Sequence, residues 1–498
     1  MVFAPSAPTV TTWRKDDVPL PSTLRSPCAG LGRGARVGRL RRAARRAAAH
    51  PPATGRRLRD VAGAGGRPGR PSDWPSDAWW RAYGDQQLDQ LIDEALVGSP
   101  SIATAQARLA RAEATVQTSR AADRPQLRGN ASITGQKQSY EYLTPRAAVP
   151  EGWKDYGRAT LDFSWDLDFW GRNRAALAAA LSDAEAAKAD AAQARLMLAA
   201  SVASGYAEFA RLWAVQDTAE AALAVREKTV ELFRMRRENG LETLGSVRQV
   251  EARRAMAEAD LLSAREQLTL QRHRLAALTG AGPDRGLALI RPQLDVAREL
   301  GLPERLPAQL LGRRPDIVAA RRRVEAALGR VDSAKAAFYP DVNLTAFAGM
   351  QSLGLSKLTD GGAFTGSIGP AISLPIFDGG RLRGQFRGAR ADADAAVASY
   401  DQAVVQALQE VADIAASTRS LGGELASTDA GVDAAREAWE IQQRRYTGGL
   451  STYLEVLTAE DAWLSNRRAQ TDLRSRAFTL DVSLKRALGG GYTAPPKS

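Results

Sequence analysis

At 498 residues, 44% hydrophobic and 25% charged, the chain is long enough for several cores and ordinary enough in composition to fold. Its net charge of +12 invites a nucleic-acid reading, but residues 1–70 hold fourteen Arg and one Lys against three Asp, which is the whole excess. The remainder is neutral in sum, so no basic groove rests on the folded body and no nucleic-acid partner is expected.

Enzyme chemistry finds little to work with. One Cys (Cys28) and two His (His50, His273) cannot make a zinc site, which needs three or four ligands at close spacing. His273 lies in "QRHRLAAL", a helical pattern, and reads as a solvated helical residue. Neither a phosphate-binding G-x-x-x-x-G-K-[ST] loop nor a strand-G-x-G-x-x-G-helix unit occurs. No enzyme, cofactor or metal is expected. After residue 70 the longest uncharged run, 361–377, carries two Pro and four Gly and is shorter than the ~18 residues of a spanning helix. A transmembrane β-barrel stays open, because its signal is only alternation over about ten residues.

In chain order, residues 1–75 come first as a basic segment outside the fold. They show no apolar periodicity and no secretory-signal pattern. They read as a disordered arm or, as the composition favours, as translation from a wrong start or a shifted frame in a GC-rich gene. The rest is written twice. "SPSIATAQARLARAEATVQTSRAADRPQL" (99–127) aligns without a gap on "RPDIVAARRRVEAALGRVDSAKAAFYPDV" (314–342), and "ENGLETLGSVRQVEA" (238–252) on "TGGLSTYLEVLTAED" (447–461), with Glu251 on Glu460. "DLDFWGRNR" (166–174) and "SLPIFDGGRLRG" (373–384) end two alternating runs the same way, Gly171 on Gly379. The expected units are 76–300, 301–490 and a tail, 491–498.

Each unit predicts the same elements. A helix runs from Pro100 or Pro315 to Pro125 or Pro340. A strand hairpin follows, 126–169 or 341–377. Leu161, Phe163, Trp165, Leu167 and Phe169 share one strand face, and Asp162, Ser164, Asp166 and Asp168 the other. Then comes a long Ala-rich helix, a turn at Gly240 or Gly449, and a returning helix to 279 or 488. The fold class is therefore mixed α and β, mostly α, with coiled-coil helices and four strands per chain. Four strands cannot close a barrel, for which about eight is the minimum, and a bilayer tolerates no open edge. Several chains must pool strands, and three would give twelve. The competing soluble reading, a coiled-coil scaffold with a small strand cap, would leave that apolar face wet.

"WWRAYGDQQLDQLIDEAL" (79–96), "WDLDFWGRNR" (165–174), "LLGRRPDIVAARRRVEAA" (310–327) and "PIFDGGRLRG" (375–384), in this order, resemble the outer-membrane efflux protein family, the TolC-like channel components, in its NodT-type branch. The resemblance covers about residues 76–490. It implies a homotrimer with a twelve-stranded barrel in the outer membrane and a twelve-helix tunnel in the periplasm. It implies a periplasmic adaptor, an inner-membrane pump and outer-membrane lipid as partners. The function implied is passive export of drugs, toxic compounds or metals, the alternative being the outer-membrane channel of a type I protein-secretion system. Gly171, Gly379 and Gly380 would then join barrel to tunnel, with Arg381 and Arg383 near the membrane surface. Gly240, Leu241, Gly449 and Leu450 match the tips where the adaptor docks. Tyr446 and Glu455 match the aromatic and acidic positions of the periplasmic gate. Ser246 stands where the first copy would carry an acid, and Thr458 replaces a second one, so the latch between helices differs here. The other reading of Glu455 is a solvated helix face. Many members of this branch carry a lipid on an N-terminal Cys, which makes Cys28 the candidate anchor here, although "LRSPCAGL" lacks the usual context for it.

Overall fold

The structure, a computed structural model, describes residues 75–141, 145–293 and 312–493. The basic segment with Cys28 therefore lies outside the described residues, as does the link between the two units. A short α1 (Gln86–Gly98) precedes α2 (Pro100–Ala121), strands β1 (Gln126–Gln136) and β2 (Lys154–Asp166), α3 (Arg172–Glu238) and α4 (Leu244–Leu278). The second unit repeats the series with α5 (Pro315–Ala336), β3 (Asp341–Leu353), β4 (Phe364–Ser373), α6 (Arg381–Thr447) and α7 (Tyr453–Ala487). Matching helices have equal lengths: 22 residues for α2 and α5, 67 for α3 and α6, 35 for α4 and α7. The two 67-residue helices, without an internal Pro, each run about 100 Å. Among the described residues no helix is long and apolar enough to cross a membrane.

The four strands form one antiparallel sheet in the order β1-β2-β3-β4. The strands are shorter than the predicted hairpins. β2 stops at Asp166, so Leu167 and Phe169 lie past its end, although Leu167 still donates its N–H to Val342 O at 3.0 Å. The cause is Asp168, which turns to a φ of 41° and accepts from the amides of Asn173 and Arg174. A residue that caps the coming helix cannot continue the ladder. β4 likewise stops at Ser373, before Leu374 and Ile376. The helix starts also refine the match between copies. The left-handed residues directly preceding α3 and α6 are Gly171, at 75°, and Gly380, at 93°, so Gly380 rather than Gly379 is the counterpart of Gly171.

Near the sheet, α2 packs on α3, α3 on α5 and α5 on α6; farther away, α4 packs on α3, α3 on α7 and α7 on α6. Alanine is the commonest buried residue in the seams, which lets helix backbones approach closely. The largest core lies mid-way along the helices. There Trp79, Trp80, Leu88, Leu91 and Ile92 close over Tyr206, Phe209, Leu275, Phe478 and Val482. Asp85 caps α1 and also accepts from the Tyr206 hydroxyl at 2.9 Å, tying the first helix to the middle of α3.

Candidate functional site

Strand pairing decides what the sheet can face. Leu161 stands opposite Gly129 and Ala348, Phe163 opposite Leu127 and Ala346, and Trp165 opposite Leu344. Across β3 and β4, Ala346 meets Ile368, Val342 meets Ile372 and Met350 meets Phe364. Directly paired residues share a face, so apolar side chains from all four strands cover one side. The other side carries Arg128 opposite Asp162, Asn130 opposite Thr160 and Thr345 opposite Gly369. Ile133, Leu161, Phe364, Ile368 and Ile372 are exposed, so the apolar side is uncovered across the whole sheet. The outer edges of β1 and β4 pair with no other described strand.

At the other end, both helix pairs turn on the same device. Gly240 and Gly449 adopt φ of 75° and 73°. The N–H of Leu241 donates to Arg236 O and that of Leu450 to Arg445 O, each at 2.8 Å, while Gly240 and Gly449 donate to Arg237 O and Tyr446 O. This glycine-based closure satisfies the last carbonyls of α3 and α6 and leaves Leu241 and Leu450 exposed at the tips. Thr243 and Thr452 then cap α4 and α7, which places Ser246 and Glu455 at the same third helical position. Ser246 Oγ lies 2.9 Å from Thr243 Oγ1. Glu455 accepts from Ser451 Oγ at 2.7 Å and Thr452 Oγ1 at 3.4 Å. Within one protomer both therefore serve the start of a helix, where a carboxylate also complements the positive end of the dipole.

Tyr446 belongs to a different cluster. Its ring packs edge-on against Tyr453 at 5.2 Å, and the Arg236 guanidinium lies over it at 5.3 Å. Its buried hydroxyl has no hydrogen-bond partner among the described residues, so neither Glu455 nor Ser246 reaches it. Tyr453 continues the cluster, with its ring 4.6 Å from Phe233 and its hydroxyl 2.7 Å from Thr229 Oγ1. Roughly 20 Å from the turn, Arg226 of α3 pairs with Glu460 at 3.3 Å and Asp461 at 2.7 Å of α7, and Arg253 of α4 reaches Asp461 at 3.3 Å. Both units are clasped together here. Burial pushes the Glu460 carboxyl above the usual range, against the attraction of Arg226. Sequence reasoning missed Arg226, Arg253, Tyr453, Glu460 and Asp461. One signal was present: Arg226, Thr229, Val230 and Phe233 follow i, i+3, i+4, i+7 spacing, which puts an arginine in an apolar seam.

Between sheet and helices, Arg172 at the start of α3 pairs with Asp166 at 2.6 Å and Asp341 at 3.3 Å, and Arg174 with Asp168 at 3.3 Å. The aspartates thus fix the first α3 turn to the ends of β2 and β3. Trp170 stacks on Tyr339 at 4.9 Å beside them. At the second join, Asp378 accepts from the amides of Gly380 and Leu382.

Known proteins share this arrangement. The family model for outer membrane efflux proteins matches residues 91–281 and 306–490. The chain belongs to the outer membrane efflux protein family. Multidrug resistance outer membrane protein MdtP of Escherichia coli is 32% identical over 432 residues, 85% of this chain and 88% of MdtP. Fusaric acid resistance protein FusA of Burkholderia cepacia is 40% identical over 329 residues, 65% of this chain and 61% of FusA, so that match spans less than two thirds of FusA. The crystal structure of the outer membrane protein VceC from Vibrio cholerae superposes with a TM-score of 0.79 at 49% identity, over 84% of this chain and all of VceC. CmeC of Campylobacter jejuni, at 21% identity and a TM-score of 0.82, shares the fold. As an outer membrane efflux protein, the chain places its four strands in a trimeric twelve-stranded barrel and extends its helices as a tunnel into the periplasm.

Proposed function

We propose that this channel is a passive duct that carries small organic compounds out of the cell, with the energy supplied by an inner-membrane pump through a periplasmic adaptor. The observation that carries the reading is the sheet. Its register gathers the apolar side chains on one face, and its two free edges require neighbouring strands from other copies. Leu161, Phe163 and Trp165, with Leu167 and Phe169 just beyond β2, are the lipid contacts. The tips at Gly240-Leu241 and Gly449-Leu450 dock the adaptor. Tyr446, Glu455 and Ser246 surround the periplasmic gate, Glu455 contributing one carboxylate from each copy around the axis. The two units, 76–300 and 301–490, each supply a strand pair and a helical hairpin. No bond-making chemistry is assigned to the chain.

The names of MdtP and FusA point to drugs and to fusaric acid as the compounds to try. The test is deletion of the gene in its native host. Susceptibility to fusaric acid and to a panel of lipophilic drugs is expected to rise and to return to normal on complementation. Full resistance in the deletion strain, together with loss of a secreted protein from the medium, would overturn small-molecule export.

A further inference from the structure

The two joins between barrel and tunnel differ in charge. At the first, Asp166, Asp168 and Asp341 neutralise Arg172 and Arg174. At the second, the positions of Asp166 and Asp168 hold Pro375 and Phe377, and the position matching Asp341 is Gln126 of β1. No carboxylate stands at those three positions, and Asp378 alone takes the amides at the start of α6 as Asp168 does at the start of α3. Yet α6 opens with Arg381, Arg383, Arg387 and Arg390 and has no acid in its first turn. Arg381 reaches Gln385 at 3.4 Å and feels the charge of Asp378. Arg390 lies over the Phe386 ring at 5.9 Å. Among the described residues, Arg383, Arg387 and Arg390 form no ion pair. Cations at a helix start oppose the positive end of its dipole, and the carboxylate at this start, Asp378, is committed to the amides of Gly380 and Leu382.

The three arginines stand at i, i+4, i+7, one above another on a single face of α6. Farther from the barrel the same face turns acidic, at Asp394 and Asp401. Helix packing uses other faces. Toward α5, α6 buries Leu382, Ala393 and Tyr400. On another side, exposed Gly384, Gly388, Asp392 and Ala395 match Ala175, Ala179, Asp183 and Ala186 of α3. That is the face of α3 on which α5 lies, with Gly329 against Ala175 and Ala179 and Arg330 paired with Asp183. By this repeat the neighbouring copy's α2 takes the matching face of α6, and the arginine strip stays open between two seams. Toward the membrane come Ile376 and Phe377, 92% and 93% exposed. Moving away from the barrel, the order is apolar, glycine turn, basic, acidic. A bilayer presents hydrocarbon, then phosphate, then water in the same order. All three arginines lie within about 15 Å of the helix start, and their long side chains can reach back toward the head groups.

We infer that Arg383, Arg387 and Arg390 dock the phosphate groups of anionic phospholipids in the periplasmic leaflet of the outer membrane. The lipid supplies at the second join, beyond Asp378, the negative charge that three aspartates supply at the first. The strip continues the lipid-facing band of the sheet and sets how deep the barrel sits. This inference rests on the outer-membrane reading, and its test measures lipid retention rather than export, so the two can fail separately.

The experiment is native mass spectrometry of the full-length trimer, extracted in detergent and incubated with phosphatidylglycerol or phosphatidylcholine. The wild type is expected to retain phosphatidylglycerol preferentially. R383Q/R387Q/R390Q should lose about fivefold in retention per arginine removed, while its single-channel conductance stays unchanged. Equal retention of the two lipids by the wild type, or undiminished phosphatidylglycerol on the triple variant, overturns the inference. So does selective retention of lipid A in place of phosphatidylglycerol. If the triple variant fails to form trimers, R387Q is compared with R387K. Loss in R387Q with retention in R387K supports docking, and equal retention in both overturns it.

Discussion

Arg226 and Glu460 are 6% and 2% exposed, which makes their pairing a matter of desolvation as much as attraction. A buried ion pair adds little net stability, but removing one partner leaves the other charged, buried and uncompensated. R226A is expected to cost about 3 kcal/mol or more in the packing of α3 on α7. It should appear as faster amide exchange in 226–233 and 453–461 of the detergent-extracted trimer, and unchanged exchange would remove Arg226 from the clasp. A pH dependence follows from the same residue. Burial raises the Glu460 carboxyl, the charge of Asp461 adds to the rise, and Arg226 and Arg253 oppose it without cancelling it. A carboxyl raised in the clasped state takes up a proton as the clasp forms. This contribution is fully present below the ordinary carboxylate range and is lost as pH rises through the raised value. Exchange protection of the clasp should therefore increase as pH falls toward the ordinary carboxylate range, and Glu460→Gln should flatten that slope. A wild-type slope that survives in Glu460→Gln would assign the dependence to another group.

At the scale of elements, the strand pair β2–β3 is the most tightly specified. Gly349 faces Thr160, and a Cβ there would meet the Ala159 carbonyl oxygen and stand 2.7 Å from Thr160 Cα, both backbone atoms. Gly349→Ala must push the strands apart, at a cost of about 1–3 kcal/mol. The trimer band on a semi-native gel should melt at lower temperature, whereas Gly369→Ala, where nothing lies within 4 Å, should leave it in place. A G349A trimer as heat-resistant as the wild type would show that the sheet has slack. Elements of this kind were largely legible in the sequence, because prolines bound the short helices, glycines with positive φ mark the tips, and strict alternation marks β2. The ends of the strands were less so. Alternation continues through Leu167 and Phe169, but the carboxylate of Asp168 is committed to the amides of α3, and no periodicity records that competition. The clasp was illegible for another reason. Arg226 and Asp461 are separated by 235 positions and meet only because two long helices lie side by side. The join at Gly380 shows a third limit, since a residue-by-residue match favoured Gly379 while helix geometry pairs Gly171 with its neighbour.

For the whole molecule, duplication means that one helix contact has to serve twice. Inside the protomer, α5 lies on α3 with Gly329 against Ala179, where an added Cβ would stand 3.1 Å from the Ala179 Cβ. The contact carries ion pairs from Arg323 to Asp190 and from Arg330 to Asp183. Transferred to the free faces, the same contact becomes α2 of one copy on α6 of the next. Gly329 maps to Ala114 and Ala179 to Gly388, so each version of the seam combines one glycine with one alanine. Arg323 and Asp190 map to Arg108 and Ser399, and Arg330 and Asp183 to Thr115 and Asp392, so the packing of small residues repeats but the two ion pairs do not. A ring closes only if every chain offers one such face on α2 and the complementary one on α6, which is a heterologous contact with rotational closure. The double variant A114C/G388C should therefore cross-link between copies on oxidation, because the mapped Cβ atoms, 3.1 Å apart, need only a few tenths of an ångström of helix separation to reach the roughly 3.5–4.5 Å that a disulfide spans. Covalent dimers and trimers are expected on a non-reducing gel, collapsing to monomer on reduction, with neither single variant giving trimers. Cross-linking absent from trimers that remain assembled would mean that the seam between copies does not repeat the one within them, and that the unpaired faces of α2 and α6 meet in a different register.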